Sequence, residues 1–289
     1  MTPSTSLEES LARFDRIIET ASVERSHLGV FPAMYRTVTE SIRDAVRTGG
    51  FFDDDARAEH LTVVFAERYF EAYEAYRRGE RIPRCWAVAF EAADLPQRLM
   101  ILQHLLLGMN AHINFDLGLA TVAAASGDLE AVHADFLRVN EILYQVLNRL
   151  QGRLGTVSPR LSMLDRLGGP WDERLMYVGI HTCRDLAWQF ANRLAESADA
   201  TIEAEARDSD ASCLASLMLR RWCALGVATN LIARVESRDI PAIVDALSRA
   251  EVDLDEAEQV VHAELAAGGS VVDSLQVAAR YRRPMWTAR

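Results

Sequence analysis

His112 and Asp116 stand four residues apart in the stretch Leu99–Ala125, LMILQHLLLGMNAHINFDLGLATVAAA. Four residues is about one helical turn, so imidazole and carboxylate share a face. Neutral imidazole and carboxylate one turn apart form a ligand pair for Zn²⁺, Fe²⁺ or Mn²⁺. The same spacing also suits a hydrogen-bonded His–Asp pair inside a core. His104 stands at the edge of that face, and Asn110 and Asn114 lie on its flanks. Polar groups in so apolar a segment are costly unless they are paired or bind something. The amides could orient a ligand or donate to a substrate oxygen.

Further candidates come from other segments. Glu91, in AVAFEAA, reads as a buried carboxyl suited to a general base. In HADFLRVNEIL, His133 and Asp135 point to opposite sides of a helix, and Asp135, with Asn140 beyond it, is the one expected to face the site. His181 and Asp185, in GIHTCRDLAWQF, repeat the four-residue spacing, although Arg184 could take Asp185 as an ion partner. The expected ligand set is therefore His112, Asp116, His104 and His181, with Glu91, Asn110, Asn114 and Asp135 in catalytic roles.

The elements that must position these residues read as helices throughout. Ser4–Ala21 opens on STSLEES, a capped and acidic first turn. A second helix covers about Ala33–Thr48, and a third, aromatic one runs over Asp55–Gly79 with Phe65, Tyr69 and Tyr73. That aromatic stripe reads as core before it reads as a cofactor box. FFDDDAR, ahead of the third helix, faintly resembles an aspartate-rich cyclase motif and reads better as an N-terminal cap. A short helix spans Cys85–Ala93. The central helix (97–125) follows Pro96 and is joined by Ser126–Asp128 to Leu129–Leu150. Gln151–Pro170 is rich in Gly and Pro, the place for a lobe boundary or lid. Helices over Trp171–Ala198, Ala211–Val235, Ile240–Ala250 and Asp253–Ala266 complete the chain, with a basic tail over Arg280–Arg289. The expected fold is all-α: one multi-helix bundle around a buried central helix, in two lobes at most.

Composition excludes several classes. The net charge is −11, and every one of the 31 basic residues is Arg. With no Lys there is no Schiff-base lysine and no phosphate-loop lysine. A net acidic chain without a basic cluster speaks against nucleic-acid binding. The four Cys show no CxxC spacing and read as reduced thiols of the cytoplasm. The N-terminal segment is not patterned as a signal peptide, and the polar residues of 99–125 speak against a membrane span. There is no GxGxxG, GxSxG or HExxH, and no paired ExxH of the di-iron bundles.

The phrases HLLLGMNAHINFDLGLA (104–120), FAERYFEAYEAYRRG (65–79) and HADFLRVNEIL (133–143) resemble a mostly actinobacterial family known only as a domain of unknown function. That resemblance implies an all-α fold and names no activity. LLLGMNAHINFD is also similar to the LLGxxAHxxxD helix of zinc-dependent phospholipase C and the related single-strand nucleases. This second resemblance implies that His112 and Asp116 bind zinc. The further His residues of that family, its N-terminal Trp ligand and its secretory signal have no counterpart here, so the carry-over stops at these two positions.

These readings lead to an expected function. It is hydrolysis of an ester or phosphoester of a small molecule by a water on a divalent metal (Zn or Fe) in a bundle core. A homodimer is the expected assembly. One alternative is a metal-free or Mg²⁺-assisted cyclase or isomerase of an apolar natural product, its cavity lined by the aromatic stripe. The other is a non-enzymatic helical binding protein whose polar cluster closes on itself.

Overall fold

The computed structural model describes residues 3–95, 99–158, 172–219 and 232–248. Helix is the only regular structure among them. Helix α1 (Leu7–Glu24) starts where the Ser6 hydroxyl accepts from the Glu9 N–H. A 3-10 turn over His27–Gly29 leads into α2 (Val30–Thr48), which begins three residues before the expected start. Pro32 falls in its first turn, where a missing N–H costs nothing. Helix α3 (Asp55–Arg77) is capped by Asp54, whose carboxylate accepts from the Arg57 N–H, so the cap reading of the aspartates holds. Helix α4 (Arg84–Glu91) is short and carries Trp86.

The central helix is one rod in three pieces: α5 (Ile101–Ala111), a π turn (His112–Asp116) and α6 (Leu117–Ala125). The Leu117 N–H reaches the His112 carbonyl, a five-residue bond where an α-helix makes a four-residue one. Ser126 and Gly127 then turn the chain with positive φ, and Asp128 caps α7 (Leu129–Val157). Gly127, at φ +99°, needs the freedom of a residue without Cβ. Helix α7 runs past the expected stop at Leu150 and takes Gly152 and Gly155 into its last turns.

Helix α8 (Asp172–Glu196) is followed by α9 (Ala200–Met218) and, after a short helical piece at 232–235, by α10 (Ile240–Leu247). The start of α9 corrects the sequence reading. The helix expected from Ala211 begins at Ala200, because Asp199 caps it and Arg207 buries itself on the central helix. The rest of the helix expected over 211–235, the last turn of that expected over 240–250, the helix over 253–266, the basic tail and most of the 151–170 boundary lie outside the described residues.

Helices α2, α3 and α4 cover one side of the central rod, α7 and α8 another, and α9 a third, while α10 packs on α1, α2 and α7. The core between α1, α2, α3, α4 and the rod is aromatic: Phe14, Tyr69, Phe70 and Trp86 are fully buried, each burial contributing roughly 1.5–3 kcal/mol. No helix among the described residues is long and apolar enough to cross a membrane.

Two glycines let partners touch the rod's backbone. A Cβ at Gly108 would lie 2.5 Å from the Phe31 ring, and one at Gly118 would lie 2.4 Å from that of Phe190. Gly108→Ala must therefore push Phe31 out of its seat. The expected cost is about 1–3 kcal/mol in a urea unfolding titration, whereas Gly127→Asn, at an open turn, should cost less than half as much.

Candidate functional site

The helical period sets the polar residues around the π turn on two sides of the central helix. His112 and Asp116 face α2, α3 and α4. Asn110 and Asn114 face α9. His104, two turns earlier, faces the 3-10 turn.

Consider the first group. The Asp116 carboxylate is buried and its Oδ2 has two nitrogen neighbours: Trp86 Nε1 at 2.8 Å and His112 Nδ1 at 3.0 Å. The indole N–H can only donate, so Oδ2 accepts from it, and with Asp116 ionised the imidazole proton is assigned to Nδ1. That leaves Nε2 with its lone pair. It is buried and has no hydrogen-bond partner. Burial pushes the His112 imidazole below its ordinary range and so keeps it neutral, against the opposing pull of Asp116. Burial likewise pushes the Asp116 carboxyl up, and the bonds from His112 and Trp86 pull it back.

The ring of His112 is enclosed by aromatics. Phe65 stacks on it with centroids 3.6 Å apart and 4° between planes. Tyr35 meets it at 4.4 Å and 66°, and Phe31 at 5.6 Å. The Tyr35 hydroxyl is also buried without a partner, and burial beside Asp116 drives its pKa well above the ordinary phenol value. His112 and Tyr35 line one cavity with Met34, Phe65, Met109 and Asn140. Its free volume is about 20 Å³, room for about one water molecule. Met109 is its only lining residue that is not buried.

The other expected site residues are elsewhere. Asn110 donates to the Ala211 carbonyl at 2.8 Å and accepts from Asn114 at 3.1 Å. Arg207 of α9 donates to both the backbone carbonyl and the side-chain oxygen of Asn114. These amides dock α9 and do not face the cavity. Glu91 is exposed at the end of α4, which corrects the expectation of a buried base: its apolar neighbours in sequence lie on the opposite side of a short helix. Asp135 is fully buried, but its carboxylate is used up holding the loop before α3. It accepts from the Asp53 N–H at 2.8 Å and from Arg57 at 2.7 Å, and Arg138 closes the ring by pairing with Asp53. It is a structural anchor. Asn140 does line the cavity. The helix carrying His181 is described but its side chain is not, and Arg184 lies 3.8 Å from Asp185 as the second reading of that motif had it.

His104 belongs to a different cavity of about 200 Å³, lined also by His27, Glu236 and Ser237. Its ring stacks on His27 at 4.5 Å. Glu236 there accepts from the Ile101 N–H at 2.9 Å and from the Ser158 hydroxyl, tying the start of α5 to the end of α7.

A metal needs more donors than the site offers. Among the described residues, no three His, Cys, Asp or Glu side chains are grouped to hold an ion. His112 Nδ1 and Asp116 are already bonded to each other, so Nε2 is the one nitrogen left to offer. The expected set of His112, Asp116 and His104 is split between two cavities. Sequence reading missed Trp86 and Tyr35. Their signal was present only as part of an aromatic pattern that reads equally well as core.

The buried imidazole of His104 carries a pH dependence. Burial and the neighbouring His27 lower its pKa from 6.5 to about 3. The unfolded chain therefore takes up a proton near pH 6.5 that the folded chain refuses, and stability falls as pH drops below that value. Between pH 6.5 and 5 this group should remove about 2 kcal/mol. His104→Leu should lose that much less than the wild type when urea unfolding at pH 5 is compared with pH 7. Equal losses would show that His104 takes up its proton normally in the folded protein.

No curated protein and no solved structure matches the chain, so neither comparison shows the likeness to the zinc-phospholipase helix expected at 105–116. Residues 7–221, which hold the π turn, Trp86, Tyr35 and Arg207, match a family of unknown function (DUF5995), and the chain belongs to that family.

Proposed function

We propose that this protein is an enzyme that moves a proton on a small, largely apolar molecule, with His112 Nε2 as general base. One observation carries the reading: a neutral imidazole, oriented by a buried carboxylate, whose second nitrogen is buried and unpartnered. An unmet acceptor costs about 1–3 kcal/mol, a cost that a site which binds something there recovers. Asp116 fixes the ring and stabilises the imidazolium once Nε2 has taken a proton. Trp86 fixes Asp116. The surrounding aromatic rings exclude water and select an apolar substrate.

A substrate needs more room than about one water, so the wall must part on entry. Met34 and Met109 are its unbranched, readily repacked members, and Met109 reaches the surface. Entry past Met109 is the route this suggests. Metal-assisted ester hydrolysis, the function expected from the HxxxD spacing, has less support, since the donors it needs are not gathered. The small cavity favours a second reading, in which the dyad closes a non-enzymatic core around one water.

A carbon acid with a built-in chromophore separates the two. Cleavage of 5-nitrobenzisoxazole needs one base in an apolar pocket. The wild type should accelerate it over buffer, His112→Asn should lose about 10²-fold or more, and Met109→Ala should raise the rate by easing entry. A rate unaffected by His112→Asn would overturn the catalytic reading and leave the closed core.

A further inference from the structure

We propose that Tyr35 is the acid partner of His112 and that the substrate is a small enolisable ketone. This rests on the general-base reading above and adds the chemical class to it. His112 and Tyr35 both line this cavity, and each has a buried polar atom with no hydrogen-bond partner among the described residues: His112 Nε2, an acceptor, and the Tyr35 hydroxyl, a donor. Their ring centroids lie 4.4 Å apart, so the two residues are neighbours in its wall, and a ligand that parts the wall between them meets both.

The other hydroxyl and amide in the wall each have a partner. Thr62 donates to the Ala58 carbonyl at 2.8 Å, and Asn140 donates to the Phe136 carbonyl at 2.6 Å. The indole N–H of Trp86 is taken by Asp116. Asn140 keeps one further N–H, and Tyr35 is the wall's hydroxyl without a partner, in contact with the His112 ring and so the donor best placed beside the base. Burial and the nearby carboxylate keep its proton on, so it enters as a neutral phenol. The rest of the lining is aliphatic or aromatic, including Val38, Ile42, Phe65 and Val139.

A carbonyl compound matches this pairing as an alcohol does not. An alcohol would satisfy both atoms and stop there. A ketone offers an oxygen to Tyr35 and, on the adjacent carbon, an acidic hydrogen to His112. In the step, that C–H bond breaks and its proton goes to Nε2. The electron pair forms the enolate C=C as the carbonyl π bond moves onto oxygen, where the Tyr35 O–H donates to the new charge. Return of the proton to the same carbon gives exchange, and return to a conjugated carbon gives a shifted double bond. Nothing is oxidised or reduced.

The test is proton exchange of cyclohexanone in D₂O, followed by NMR. The wild type should accelerate loss of the α-hydrogen signal over buffer. Tyr35→Phe removes only an unpartnered hydroxyl, so it should fold as the wild type does and yet lose about 10²-fold in exchange. His112→Asn should lose all of it. If His112→Asn abolishes exchange while Tyr35→Phe keeps it within twofold, Tyr35 is not the acid and the base reading stands. If the wild type leaves the ketone unexchanged yet cleaves the benzisoxazole through His112, the ketone class is wrong. If His112→Asn changes neither reaction, both proposals fail together.

Discussion

Everything distinctive in this structure depends on one oxygen, Oδ2 of Asp116, taking two N–H groups in a place with no water. A carboxylate so deep in an aromatic core is destabilising by itself. Trp86 and His112 offset the cost by donating to the same atom. The bonds also fix which nitrogen of His112 holds its proton, and hence which one is bare. The indole comes from α4, the imidazole and carboxylate from the π turn, and the enclosing rings from α2 and α3. Four elements thus meet at one atom. The wide aromatic core around them, from Phe14 to Phe90, supplies both stability and the low polarity in which the bare nitrogen lies.

The second organising constraint is the polar stitching at a distance from that centre. Asp135 holds the loop ahead of α3 through Asp53 and Arg57. Arg13, buried between α1 and α3, pairs with Glu67 and Glu74 and lies 4.2 Å over the Phe70 ring. Glu236 joins the ends of α5 and α7. In each case the carboxylate is satisfied by backbone, hydroxyl or guanidinium, which separates it from the Asp116 type of burial. A carboxylate whose partners complete a loop or bridge two helices is scaffold. One whose partner is an imidazole with a spare nitrogen is a candidate for chemistry.

The all-α class was legible in the sequence because helical periodicity runs through nearly every segment. The His112–Asp116 pairing was legible because one-turn spacing brings the two side chains together in either an α or a π turn. What could not be read was direction. Periodicity assumes 3.6 residues per turn, and the π turn breaks that phase in the middle of the central helix. His104, Asn110 and His112 all precede or open that turn, and 100° per residue already sets Asn110 and Asn114 on the side of the helix away from the dyad; which neighbour each side meets could not be read. Asp135 was legible as buried, but its partners are 78 and 82 positions away. Glu91 misled because apolar neighbours in sequence do not bury a residue on the outer side of a two-turn helix. Tyr35 and Trp86 were hidden because a phenol or indole with a role and one that merely fills space look alike in a string of letters.

The contact between Arg207 and Asn114 has a consequence in time. A π turn disturbs the ladder of its own helix, and here the Asn114 carbonyl takes a donor from Arg207, 93 positions downstream. During synthesis the central segment emerges long before that guanidinium. Until α9 docks, the wider turn lacks that outside donor, although His112 and Asp116 already stand one turn apart. The braced π turn is thus among the last things the fold completes, and a nascent or truncated chain ending short of α9 would carry the His–Asp pair without the contact that steadies its backbone.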